Sequence, residues 1–256
     1  MMDLFNVEEE KIITESGKSV VGKKAIVRQD TGEILGVVSD KYKLVKHQEL
    51  LNAMHSVIEG LGVEDQQLHL CKRGAVMFLK FYVPNLIWEP KVGDTVRFGL
   101  QVFNSYDCSL PVGVLLIGEV LRCSNGMSAP ETMTSFFLKH YGNLDLGEVR
   151  RKANDVLYKV DKVKAKWDGY RKEEVTEEKV KKFLNASYGS RLREKMFNTY
   201  METREGNTVW DLYQVLMYHS THSLKARKGN EANIPLLRAG LENSVASRLN
   251  NYSWRN

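Results

Sequence analysis

Residues 95–127, TVRFGLQVFNSYDCSLPVGVLLIGEVLRCSNGM, constrain the fold of this chain more than any other stretch. Two long strand-like runs flank a polar, turn-forming segment. In the first run Val96, Phe98, Leu100 and Val102 fall on one face, and Arg97, Gln101 and Phe103 on the other. The second run, 112–123, is apolar almost throughout, as a strand covered on both faces should be. Between them lies Asn104-Ser105-Tyr106-Asp107, and the second run ends in Arg122-Cys123-Ser124-Asn125. A hairpin would put Asn104 and Asp107 at its tip, away from Asn125. A crossover would bring the two polar clusters to one end. Both topologies are open at this level.

The rest of the first half fits around these runs. Residues 24–38 read as a β-hairpin turning at Asp30-Thr31-Gly32, and 42–45 as a short strand. Leu50, Leu51, Met54, Val57, Ile58 and Leu61 recur at three-four spacing, which predicts a helix over 49–61. Strands are expected at 67–71 and 75–83, joined by Lys72-Arg73-Gly74, with 84–93 as a connector. This order implies an α+β fold with a largely antiparallel sheet and a packed helix. Residues 1–18 show no sustained periodicity and are expected to be loosely held.

Beyond Met127 the pattern becomes helical. Val149, Ala153, Val156, Val160, Val163, Trp167 and Tyr170 form a narrow apolar seam on one charged helix of about six turns, able to pack on the sheet or on a second copy of the chain. Further helices are expected from Thr176, from 191 to 203, from Thr208 with Asp211 in a capping-box arrangement, and from Pro235. The chain thus divides into a sheet region, 19–128, and a helical region, 129–256. No proline- or glycine-rich linker parts them, so one continuous unit is expected.

Charge is unevenly placed. Residues 1–128 hold 14 Lys+Arg against 16 Asp+Glu, whereas 129–256 hold 23 against 16, a net of +7. Such a half suits a polyanion partner or a solvated helical surface. Apolar runs are too short to cross a membrane, so no membrane role is expected. Three cysteines without CxxC spacing point to a reducing cytoplasm.

The residues offer little to catalysis. His219 and His222 share a helix face but lack the two further ligands a metal needs, so they read as a polar face. Cys123 has no histidine placed near it to act as a base. Neither GxGxxG nor a phosphate-loop pattern occurs, and no cofactor is expected. A better prospect is Lys72 and Arg73 at a strand turn, followed by Lys80 and Tyr82 on one strand face. Cations beside aromatic rings are what single-stranded nucleic acid uses. Arg97 and Arg122 would extend such a groove, and Arg150, Arg151 and Lys152 would add phosphate contacts.

Three separated segments together resemble a known family. They are NSYD (104–107), LRCSNGM (121–127) and NTVWDLYQVLMYHSTH (207–222). The chain resembles the phage- and plasmid-borne family catalogued as domain of unknown function 932. Its members show an Asn-Ser-(aromatic or His)-Asp segment, then Arg-Val-Val-Cys-x-Asn, then a late Thr-x-Trp-x-x-Tyr helix ending in His. Asn104, Ser105 and Asp107 match the first, Arg122, Cys123 and Asn125 the second, and Thr208, Trp210, Tyr213 and His222 the third. The family often has Gly after the Asp, where this chain has Cys108, which puts a tight-turn role there in question. The resemblance implies a mobile-element origin and brings no established activity.

The first reading is therefore a protein that binds single-stranded DNA in recombination or replication without chemistry, self-associating through the helix 149–170. A second is an interaction protein that inhibits a host enzyme or defence system through the same apolar seam. A third is an enzyme using Asn104, Asp107, Cys123 and Asn125 as one constellation, which requires the two polar clusters to converge.

Overall fold

A computed structural model describes residues 4–63, 65–89, 95–120, 126–128, 135–222 and 234–254. It shows an α+β fold built on two antiparallel sheets. The small sheet has the order β1-β2-β3, with β1 at Val7–Ile13, β2 at Ser19–Arg28 and β3 at Ile34–Ser39. The β2–β3 hairpin is the one that the 24–38 pattern predicts. Residues 7–13, to which the sequence reading assigns no element, are held instead as β1 along β2, with Val7 buried and the run of glutamates facing outward.

The large sheet runs β4-β5-β6-β7-β8, from Asp65–Cys71, Val76–Trp88, Val96–Ser105, Val112–Val120 and Gly126–Ser128, and β9 (Ser135–Leu138) also pairs with β7. Strand β5 continues to Trp88, through residues expected as a connector. Pro84 lacks an N–H, and the β5–β6 register breaks between Tyr82 and Ile87 to accommodate it.

Strands β6 and β7 form a hairpin, with Phe103 opposite Gly113 and Val96 opposite Val120. Of the two topologies open to the sequence, the hairpin is the one adopted. Asn104 lies at the turn end, while Val120 lies at the opposite end of the ladder. Residues 42–45 do not form the expected strand. They run between the sheets with their polar backbone groups met singly: Lys24 Nζ donates to Tyr42 O at 2.8 Å, Lys43 N to His140 O at 3.0 Å, and Asn104 Nδ2 to Val45 O at 2.8 Å. Tyr42 and Val45 are buried there without ladder pairing.

Helices follow as α1 (His47–Ile58), α2 (Leu146–Leu157), α3 (Val160–Lys172), α4 (Glu177–Ser187), α5 (Ser190–Thr203), α6 (Val209–His222) and α7 (Ile234–Asn251). Thr176 caps α4 by accepting from Lys179 N. Asp211 accepts from Thr208 N at 3.0 Å while Thr208 Oγ1 accepts from Asp211 N at 3.3 Å, a reciprocal cap on α6. The expected single helix over the seam is two helices. Lys159 N bonds back to Val156 O at 3.2 Å, a tighter i to i−3 turn that breaks the α-helical ladder.

The seam survives the break. Val149, Ala153, Val156, Val160, Val163, Trp167 and Tyr170 are all buried in one core with Met77, Leu79 and Phe81 of β5 and Phe98, Leu100 and Val102 of β6. Its centre is aromatic: Trp167 stacks on Phe98 at 5.4 Å and meets Trp88 and Trp210 at 5.3 and 5.5 Å. The seam is thus occupied by the chain's own sheet and helices, so neither self-association nor partner binding can use it without opening the core. Trp167→Ala should lower the unfolding free energy by about 3–5 kcal/mol in urea denaturation. A drop under about 1 kcal/mol would place Trp167 outside the main core.

Candidate nucleic-acid interface

The segment 104–107 ends β6 where the two sheets meet. Tyr106 leaves the large sheet and fills the core of the small one, beside Val7, Ile26, Leu35, Val38 and Tyr42. Its ring stacks on His47 with centroids 3.9 Å apart, and its hydroxyl accepts from His47 N at 2.7 Å. Here β3 approaches so closely that a Cβ on Gly36 would stand 2.4 Å from Tyr106 O.

Asn104 and His47 complete a buried polar knot. Gly74 O can only accept, so His47 Nε2, 3.0 Å away, carries the proton. Nδ1 then accepts from Asn104 Nδ2 at 2.9 Å, and the same amide nitrogen donates its second hydrogen to Val45 O. Burial, opposed by the bond to Gly74 O, pushes the His47 pKa down to about 3. Nearby, His140 stacks on Tyr42 at 4.6 Å and donates from Nδ1 to Lys43 O at 3.0 Å, and burial lowers its pKa as well. The Tyr42 hydroxyl donates to Ser105 O at 2.5 Å.

Ser105 and Asp107 close the loop that follows. Ser105 Oγ donates to Leu110 O at 2.8 Å and accepts from Leu110 N at 3.0 Å. Asp107 Oδ1 accepts from Ser109 N and Oδ2 from Lys72 Nζ, at 2.9 and 2.8 Å. Burial works against the Asp107 charge, but the bonds from Lys72 and Ser109 outweigh it and hold the carboxyl below the usual carboxylate range. Cys108 stands at φ +61, the left-handed conformation that glycine takes most easily. The tight turn put in question by the Cys for Gly exchange is therefore present.

Among the described residues, the predicted binding residues do not assemble into one groove. Lys72 is paired with Asp107, and Arg73 with Glu33 at 2.6 Å. Lys80, Tyr82 and Arg97 do share the sheet face away from the helices, as the strand registers require. Tyr82 cannot offer a stacking surface there, because it is 2% exposed and the Arg97 guanidinium covers its ring at 4.1 Å. Arg97 in turn is held by Glu119 at 2.5 Å and Asp65 at 3.1 Å. Burial opposes its charge, and the Glu119 interactions more than restore it. That face carries as much acid as base among these groups.

Arg122, Cys123 and Asn125 lie outside the described residues. Their described neighbours Val120 and Gly126 sit at the Val96 end of the sheet, since Gly126 pairs with Glu119, which itself pairs with Arg97. That is the end of the ladder remote from Asn104. In the third motif Thr208 caps α6, Trp210 and Tyr213 pack in the aromatic core, and His222 is the last residue of α6.

Arg150, Arg151 and Lys152 differ from the sheet cations. They lie on α2 outside the buried seam, exposed, as does Lys162 on α3, and among the described residues no ion pair engages any of the four. Asp145, which caps α2, has its carboxyl held low by the backbone N–H groups it accepts from, and Arg151 and Arg150 add to this only from a distance. The segment 146–172 holds nine Lys+Arg against four Asp+Glu, a net of +5 out of the +7 of the helical half.

What sequence reasoning missed is the knot. Tyr106 sits inside the first motif, but His47 bonds to it from 59 residues away and Tyr42 reaches the neighbouring Ser105 carbonyl from 63, which no local pattern reveals.

The buried imidazole makes stability depend on pH. Unfolded histidine binds a proton below about 6.5, whereas buried His47 stays neutral down to about 3. The unfolded chain therefore takes up more protons inside that window. Stability is full above it and falls as pH drops, by up to about 1.4 kcal/mol per pH unit for each such histidine. Urea denaturation between about pH 7 and pH 5, above the range of most carboxylates, should show the decline, and a flat profile would contradict it. Separately, Cys108→Gly should stabilise the fold by up to about 1 kcal/mol by relieving the left-handed backbone, read as a shift in the denaturation midpoint.

A family model described as "Domain of unknown function (DUF932)" matches residues 34–241. No curated protein and no solved structure matches the chain. The matched span runs from β3 into α7 and takes in the polar knot, the aromatic core and the basic face of α2 and α3. The chain belongs to the domain of unknown function 932 family.

Proposed function

We propose that this protein binds nucleic acid, gripping the phosphate backbone with the outer face of α2 and α3. One observation carries the reading: Arg150, Arg151 and Lys152 are exposed and outside any ion pair among the described residues, whereas Lys72, Arg73 and Arg97 of the sheet half are each neutralised by a carboxylate. Exposed cations without acidic partners are the groups that displace counterions from a phosphate backbone, and they act with little regard to sequence. The seam beneath them anchors α2 and α3 to the sheet, so the charges are presented on a rigid surface.

Fluorescence anisotropy with labelled oligonucleotides at low and moderate salt tests this. The chain should bind, with affinity falling steeply as salt rises. Replacing Arg150, Arg151 and Lys152 together by Gln should weaken binding about tenfold or more and reduce the logarithmic salt slope by about two, at about 0.7–0.9 for each phosphate no longer neutralised. Unchanged affinity and slope in that variant, or no binding at low salt, would overturn the reading.

A further inference from the structure

We infer that Tyr158 is a base-stacking platform through which the α2–α3 face prefers unpaired nucleic acid to duplex. The inference rests on the nucleic-acid reading above and specifies the form of the ligand.

Tyr158 is the most exposed aromatic side chain among the described residues, at 83%, against 62% for Tyr141 and 49% for Phe137. It follows the last residue of α2, at the break before α3. Its side chain has no hydrogen bond, ring contact or cation over its face among the described residues. An aromatic ring left this open is not contributing to the core, which already holds Trp88, Trp167, Trp210 and Tyr213 on the buried side.

Its position along the basic face is what gives the ring a use. The backbone keeps right-handed helical angles through the break, with φ −63 and ψ −13 at Tyr158 and φ −87 and ψ −4 at Lys159. Periodicity therefore carries from α2 into α3. Arg151, seven residues before Tyr158, and Lys162, four after, fall on the same outward stripe as the ring. The stripe reads cation, flat ring, cation, opposite the seam of Val149, Val156, Val163 and Tyr170.

Phosphates would meet Arg151 and Lys162, while a base between them would lie on the Tyr158 ring. A base in a duplex is stacked on its neighbours and paired at its edge, so its face is closed to a ring on a convex helix surface. A base in a single strand is free to swing out and stack. Charge serves both forms, and the ring serves one, so the stripe as a whole discriminates between them.

The test compares labelled single-stranded and duplex oligonucleotides of equal length on the full chain. Tyr158→Ala should weaken single-strand binding by about five- to a hundredfold, with duplex binding altered less than about twofold. Tyr158→Phe should retain the preference, because the ring and not the hydroxyl does the stacking. Equal weakening on both ligands, or none on either, would overturn the inference while leaving the phosphate grip intact. If the Arg150, Arg151 and Lys152 variant keeps full affinity while Tyr158→Ala no longer holds the single strand, the ring is upheld and the proposed grip falls. Absence of all binding by the unaltered chain removes both.

Discussion

The stack of Tyr106 on His47 makes one structure out of two sheets. The tyrosine comes from the end of β6 and the histidine from the first position of α1, and the ring pair sits against the small sheet. Nearly every polar atom in its neighbourhood is tied to it: the hydroxyl to His47 N, the imidazole to Gly74 O and Asn104, and Asn104 to Val45 O. A buried polar group deprived of its partner costs about 1–3 kcal/mol, so the members of such a set must be kept or replaced together. Asn104 Oδ1 is already buried without a partner among the described residues, which leaves the knot little room for further deprivation.

This explains why the residue types in the first motif go together. Asn supplies two amide hydrogens to a carbonyl and a ring nitrogen. Ser closes the loop through both polar groups of Leu110, the aromatic residue crosses into the neighbouring sheet, and Asp holds the next turn by its side chain. None of these roles is chemical. The third motif is similar in kind, with Thr208 capping a helix and Trp210 and Tyr213 filling the aromatic core. In both described motifs these residues hold the architecture, and the surface proposed to meet nucleic acid lies elsewhere, on the outward side of α2 and α3.

Local signals were legible in the sequence where a single element decides the outcome. The β2–β3 hairpin follows from its turn, and the caps at Thr176 and Thr208 from their side chains. The two-faced pattern of β6 is equally clear, because alternation is a property of one strand. Longer-range partnerships were not legible. Residues 42–45 read as a short strand, yet their hydrogen bonds go to Lys24, His140 and Asn104, which only the tertiary fold brings near. The cations at 72, 73 and 97 read as a groove because their carboxylate partners are 35, 40 and 22 to 32 residues distant. Arg150 to Lys152 needed no such knowledge. Their exposure follows from the seam, whose burial fixes the opposite side of the helix as the outer one.

The core shared by sheet and helices has a bearing on how such a chain can change over time. Trp167 and Trp210 lie against Phe98 and Trp88, so each half supplies the surface that the other needs to fold. A gene exchange that joined the first half of one relative to the second half of another would have to match indole to phenyl across that plane. Outward positions such as Arg151, Tyr158 and Lys162 face no such packing requirement. The two halves must therefore descend together, whereas the skin of the helices answers only to whatever it meets in solution.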